Sequence, residues 1–305
     1  MLHSSGHPAL DRRLDWARSY AEGGDREAAE GMLADLVEEA PDFLAAWFLL
    51  GEVREGLGQT AAAIAAYEAA LARDAADPLG AGLRLARLGA RPAEGAMSAD
   101  FVRTLFDQYA GRFDTALREK LSYRGPEVLA AAVEAACRRL GRAPAFARAL
   151  DLGCGTGLAA PLFAPWCAVL EGVDLAPAMV ERAERLGLYA ALHVGEMVAF
   201  LRDQEARSAD LVLAADAFCY LGDLAAILAA ARTALEEEGL LAFTVETHEG
   251  DGVILRDTLR YAHGRAYVER ALASAGFTPL ELAAVSTRTE KSVPVPGLVV
   301  VARAA

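Results

Sequence analysis

The chain has 305 residues, enough for two modest domains with cores of their own, and a formal net charge of -13. Of its 30 basic residues only Lys120 and Lys291 are lysines, and no basic stripe appears, which disfavours direct binding of DNA or RNA. Its cysteines, Cys137, Cys154, Cys167 and Cys219, form no Cys-x-x-Cys pair, so neither a zinc site nor a disulfide framework is expected, and no metal triad is visible.

The N-terminus shows no charged-then-apolar leader pattern, and no apolar run approaches ~18 residues. A cytoplasmic protein without a membrane span is expected. Residues 10–88 then carry an internal repeat at an offset of 34: Leu10 aligns with Leu44, Ala17 with Gly51, Gly24 with Gly58, Ala29 with Ala63 and Leu33 with Tyr67. Small residues at Gly51 and Ala63 let two helices of a hairpin approach closely, while large ones fill between neighbouring hairpins. The segment 47–51 with Ala63, Tyr67 and Ala70 resembles a tetratricopeptide (TPR) repeat, although Arg13 and Ala17 stand where Trp and Gly are usual in the first unit. That resemblance implies binding of a protein or peptide; a purely structural, oligomerising or shielding role stays open. Residues 79–88 read as a capping helix.

Residues 89–99, with Pro92 and Gly95, read as a linker. The expected division is a helical repeat domain over 1–95 and a second domain over 96–305, the latter with a helical region at 96–146 and a core at 147–305. From Asp100 an amphipathic helix places Leu105, Phe106, Tyr109 and Phe113 on one face. A second helix over 127–140 leads into an apolar strand, 148–152.

That strand runs into Gly153-Cys154-Gly155-Thr156-Gly157, with Asp151 at its carboxyl end. Alternate glycines allow a tight turn on which a ligand can lie directly on the main chain. The spacing fits the dinucleotide fingerprint poorly, since Leu158 follows Gly157. A tight strand–helix turn without a ligand is the plainer reading. A second apolar run, 169–173, ends in Asp174, placed to accept both hydroxyls of a ribose.

Residues 150–157, with Asp174-Leu175 and the helix opening 176–180, resemble the class I S-adenosylmethionine-dependent methyltransferases from about residue 99 onwards. Family members often have Ser where this chain has Ala176, which weakens a helix cap. The resemblance implies an α/β fold with a Rossmann-like sheet of seven strands, the last antiparallel, behind an N-terminal all-α TPR-like domain. It implies S-adenosyl-L-methionine as cofactor, with Asp151, Gly153, Gly155, Gly157, Asp174 and Leu175 around it. Glu196 would stand beside the adenine amino group, with Met197 next to it; Ala215 lies in the tail of the fourth strand, where the methyl donor sits. Tyr109 is a candidate lid residue, and Tyr123 with Arg124 could face the cofactor's carboxylate.

Candidate general bases at the strand ends are Asp216, Glu246, His248 and His263, the histidines in a long loop over 247–261 and just beyond it. A helix over 224–237 and strands over 240–246, 279–285 and 297–301 complete the pattern. Two functions follow. One is an enzyme that methylates an O or N atom of a small molecule or protein side chain, the repeats controlling partner or access. The other is a non-catalytic scaffold that binds the cofactor without turnover.

Overall fold

Residues 4–111 and 122–305 are described by a computed structural model. Each early helix has a local cause. Pro8 opens α1 (Pro8–Glu22), where its missing N–H leaves no bond unmade. The Asp25 carboxylate caps α2 (Arg26–Glu39), accepting from the Ala28 N–H at 3.1 Å. Gly24 and Gly58 turn the chain at φ of 92° and 75°. Then follow α3 (Leu44–Gly56), α4 (Thr60–Arg73) and α5 (Ala81–Arg87), each packed on the helix before it. A Cβ on Gly51 would stand 2.5 Å from Tyr67 Cε1, so glycine sets the α3–α4 separation. Glu55 of α3 accepts from the Tyr67 hydroxyl at 2.9 Å and pairs with Arg87 of α5.

The chain divides into two compact units, Met1–Phe101 and Val102–Ala305, with the boundary inside α6 (Ala99–Tyr109). The expected division stood at 95/96. Phe113, assigned to the same helical face as Tyr109, lies outside the described residues.

In the second unit α7 (Gly125–Arg139) precedes β1 (Phe146–Leu152), β2 (Cys167–Asp174), α8 (Pro177–Glu184), β3 (Ala191–Val194), α9 (Met197–Arg202), β4 (Ala209–Ala214) and α10 (Ala225–Ala234). β5 (Leu235–His248), β6 (Val253–Leu255), β7 (Tyr261–Gly264), α11 (Arg265–Ser274), β8 (Phe277–Val285), β9 (Thr289–Glu290), β10 (Val293–Pro294) and β11 (Gly297–Ala304) follow. The sheet runs β3-β2-β1-β4-β5-β11-β8, parallel except for β11. Strand alternation feeds two cores. Leu150, Val212 and Phe243 face α9 and α10; Ala149, Leu211 and Ala242 face α7. Chain order reverses at β1, which has β2 on one side and β4 on the other. That reversal opens a crevice at the carboxyl ends of these two strands.

Two expectations need correction. The sheet has nine strands, because β6 and β7 form a hairpin within the span read as loop, with β7 pairing β5. Leu235 belongs to β5 and pairs with Ala209, so 235–237 is not helical: the buried Leu235 side chain overrides the helix preference of three glutamates. Among the described residues no helix is long and apolar enough to cross a membrane.

Two glycine substitutions should move stability in opposite directions. Gly51→Val drives side-chain atoms into the fully buried Tyr67 and should destabilise the first unit by about 1–3 kcal/mol. Gly31→Ala, where a Cβ meets nothing within 4 Å, should stabilise α2 by about 0.5–1 kcal/mol. Urea midpoints of both variants test the close α3–α4 approach; a neutral Gly51→Val would refute it.

Candidate functional site

β1 delivers Asp151 to the crevice and the chain then turns through Gly153, Gly155 and Gly157 at φ of 64°, 56° and 86°. Only glycine adopts three such angles without strain. The turn is held from β2. Asp174 Oδ2 accepts from the Gly155 N–H at 2.9 Å, and Oδ1 accepts from the Ala176 N–H at 2.8 Å. The Cys154 N–H extends the ladder by donating to Val173 O at 3.0 Å. Asp174 is 9% exposed, and burial raises its carboxyl above the usual range.

The glycines do not all clear space for a ligand, as the sequence reading held. A Cβ at Gly153 would meet Ala217 Cβ at 2.6 Å, and one at Gly157 would meet Leu186 Cδ1 at 2.6 Å. Protein atoms from the β4 tail and the segment after α8 occupy those places. Asp151 is 1% exposed beneath the turn, and the Tyr189 hydroxyl donates to its Oδ2 at 2.7 Å. Burial pushes the Asp151 carboxyl up to about 7. Tyr189 was invisible in the sequence, since 38 positions separate it from Asp151.

Helix α8 starts without a side-chain cap of its own, as Ala176 foretold. Asp107 of α6 supplies one in trans: its Oδ1 accepts from the Ala178 N–H at 3.1 Å. Ala110 and Met179 pack beside that bond, with Phe106 against them. Tyr109, one turn on, is 48% exposed at the helix end. Leu175 is half-buried beside Asp174. Glu196 caps α9 through the Ala199 N–H at 2.8 Å, and buried Met197 sends its sulfur toward Gly153.

Across the crevice, after β4, lies a buried charge lattice. Ala215 is half-buried; Asp216 follows at φ 54°. Asp216 Oδ1 accepts from Thr244 Oγ1 at 2.6 Å, while Oδ2 accepts from Thr287 Oγ1 at 2.7 Å and Arg288 Nη1 at 3.2 Å. Glu246, 4% exposed, pairs with Arg288, with Arg260 at 2.7 Å and with Arg256 at 3.3 Å. Glu290 pairs with Arg260 and with Arg288 at 3.4 Å. Arg288 reaches in from the β8–β9 connection, between the two last strands that the sequence predicts over 279–285 and 297–301. Tyr123 packs its hydroxyl on Gly125, and burial together with the Asp216 carboxylate pushes its phenol well above the usual value. Arg124 is exposed, and its backbone N–H donates to Thr287 O at 2.8 Å.

Neither histidine lies in a loop over the crevice: His248 ends β5 and His263 lies on β7. His263 is fully buried on β7, with Nε2 2.9 Å from Leu221 O. A carbonyl only accepts, so that nitrogen carries the proton. Burial pushes the ring down to about 4, so it stays neutral at physiological pH. His248 closes a local turn: Nδ1 accepts from the Gly250 N–H at 3.1 Å and Nε2 lies 3.2 Å from Gly252 O. Among the described residues no cluster of His, Cys, Asp or Glu could hold a metal ion.

The site fits the implied cofactor on its own chemistry. Asp174 has two oxygens that each keep a lone pair for a ribose hydroxyl. Asp151 is a buried carboxyl whose negative charge a cationic ligand would offset.

Comparisons with known proteins bear on the family and the fold. Residues 121–281 match the family described as Methyltransferase domain. Human methyltransferase-like protein 27 is 41% identical over 88 residues, covering 28% of this chain and 34% of that protein. This chain therefore matches about a third of the length of that relative. The Burkholderia thailandensis 1,6-didemethyltoxoflavin-N1-methyltransferase, solved with its substrate and S-adenosylhomocysteine, superposes with a TM-score of 0.53 at 20% identity, over 68% of this chain and 88% of that one. A methyltransferase from Clostridium acetobutylicum gives 0.49 at 18% identity, over 66% and 99%.

Arg288→Met leaves the Asp216 and Glu246 carboxylates buried one cation short. It should destabilise the protein by about 3–5 kcal/mol, read in chemical denaturation. A loss under ~1 kcal/mol would show that the lattice is solvated and adjustable.

Proposed function

The chain belongs to the methyltransferase domain family, and from that premise we propose that it moves a methyl group to an oxygen or nitrogen of a small molecule or a protein side chain. It is an S-adenosylmethionine-dependent methyltransferase. The observation that carries the reading is Asp174, which ties the glycine turn to the second strand and keeps acceptor capacity directed at the crevice.

When bound, the sulfonium supplies an already activated methyl group, so the chain's task is alignment and exclusion of water. Asp174 would take the ribose hydroxyls and Asp151 would provide negative potential beneath the turn. Glu196, Met197 and Leu175 would line the adenine side. Asp216 already receives three hydrogen bonds, from Thr244, Thr287 and Arg288. Of roughly four lone-pair sites on a carboxylate, one remains. That site suits an N–H or O–H of the methyl acceptor, which would orient the attacking atom. Tyr123, kept as a neutral phenol beside Asp216, can donate to the acceptor.

Calorimetric titration tests the cofactor side. The wild type should bind both S-adenosylmethionine and S-adenosylhomocysteine. Asp174→Ala should lose roughly 2–4 kcal/mol, about 30- to 1000-fold. A folded Asp174→Ala protein with unchanged affinity overturns the assignment.

The first unit supports a TPR-like role in partner choice or access: its helices pack in sequence, and α3 and α4 close on Gly51. The cofactor motifs all lie in the second unit. A chain shortened to begin at Met97 keeps α6 whole. It should bind cofactor within a few-fold of the full protein yet lose activity toward the true acceptor. An affinity loss beyond tenfold, about 1.4 kcal/mol, would mean that the helical unit helps build the pocket.

A further inference from the structure

Tyr189 comes from the segment between α8 and β3, outside every motif that marks the fold. Its ring nevertheless lies between the glycine turn and β2. A Cβ on Gly157 would stand 3.2 Å from Tyr189 Cε2, and one on Gly172 would stand 3.0 Å from Cε1. Two glycines, one on the turn and one on β2, thus make the slot that admits this ring. The Ala190 N–H, donating to Leu170 O at 2.7 Å, pins the segment to β2. The slot ends at Asp151 Oδ2, 2.7 Å from the phenol oxygen. A slot cut from two backbone positions and closed by one short hydrogen bond fixes the carboxylate's rotation.

We propose that Tyr189 is a positioning residue of the methyl-donor site: it orients the Asp151 carboxylate beneath the glycine turn and thereby sets affinity for the cationic cofactor. The inference rests on the S-adenosylmethionine reading above. The titratable groups that interact electrostatically with Asp151 are Tyr189, which also bonds it, Asp174 from β2, the thiols of Cys154 and Cys167, and the Tyr123 phenol. Each of these adds negative charge or none when it titrates, so the ionised carboxylate depends on Tyr189's hydrogen bond and on what the ligand brings. Burial places the carboxyl near 7, and the bond from Tyr189 opposes that rise. The ionised form is the one that attracts a cation, so affinity should fall as pH drops below about 7.

Tyr189→Phe keeps the ring in its slot and removes only the hydroxyl. It should move the Asp151 titration upward by about one unit. The affinity ratio of wild type to variant should then be roughly five- to tenfold at pH 6.5 and approach one at pH 8.5. Asp151→Asn should bind weakly and lose the acid limb of the profile. Calorimetry with S-adenosylmethionine and S-adenosylhomocysteine across pH 6–9 reads all three proteins. A ratio that is the same at every pH, or equal to one throughout, overturns the positioning role while leaving the cofactor reading intact. A folded wild type that binds neither compound at any pH overturns both.

Discussion

The second unit depends on one carboxylate. Asp174 sits at the end of β2 and bonds two backbone N–H groups, one in the glycine turn and one at the start of α8. Both are donors that a turn and a helix start leave orphaned. Each charge-assisted bond contributes about 1.5–3 kcal/mol. Together they offset part of the cost of burying the acid; burial still raises its carboxyl above the usual range. The same bonds aim the remaining lone pairs outward. The acid proposed to hold the ribose is therefore first a structural brace. That explains why it can stay buried and in position before any ligand arrives.

The α8 start shows how such a brace spreads. Its own cap residue, Ala176, has no side-chain acceptor, and Asp107 on α6 provides one from 71 positions away. The exchange couples α6 to the crevice: the helix that ends in Tyr109 is docked at the same α8 start that Asp174 braces. A serine at 176 would have made that docking unnecessary for α8, so the alanine carries architectural information.

The division between what the sequence displayed and what it hid follows the range of the interactions. The strand, the turn and Asp174 are local patterns, spaced by one βα unit, and were legible. The glycines were legible as glycines; whether a missing side chain makes room for ligand or protein was not, because Ala217 and Leu186 arrive from distant segments. Tyr189 and Arg288 carry no motif and act only through partners brought together by the fold. His248 and His263 misled for the complementary reason. A histidine near a strand end looks like a base, but burial on β7 and a closed turn decide otherwise. Leu235 misled because a run of glutamates favours helix until a buried pairing outweighs it.

The two sides of the crevice obey different physics, and this explains why the cofactor could be read from sequence and the acceptor could not. The cofactor side is built from backbone N–H groups and two acids on adjacent strands, a scheme that tolerates little change in spacing. The side proposed for the acceptor is a lattice of Asp216, Glu246 and Glu290 against Arg256, Arg260 and Arg288. Its cations come from the β6–β7 hairpin region and from the connection between β8 and β9. Three acids against three guanidinium groups leave no net charge to attract an ionic acceptor. Recognition there would rest on shape and on single directed bonds such as the remaining acceptor position on Asp216. Such bonds depend on side chains far apart in sequence. Under the proposed function, acceptor choice would thus depend on the tertiary contacts of Arg288 rather than on any motif.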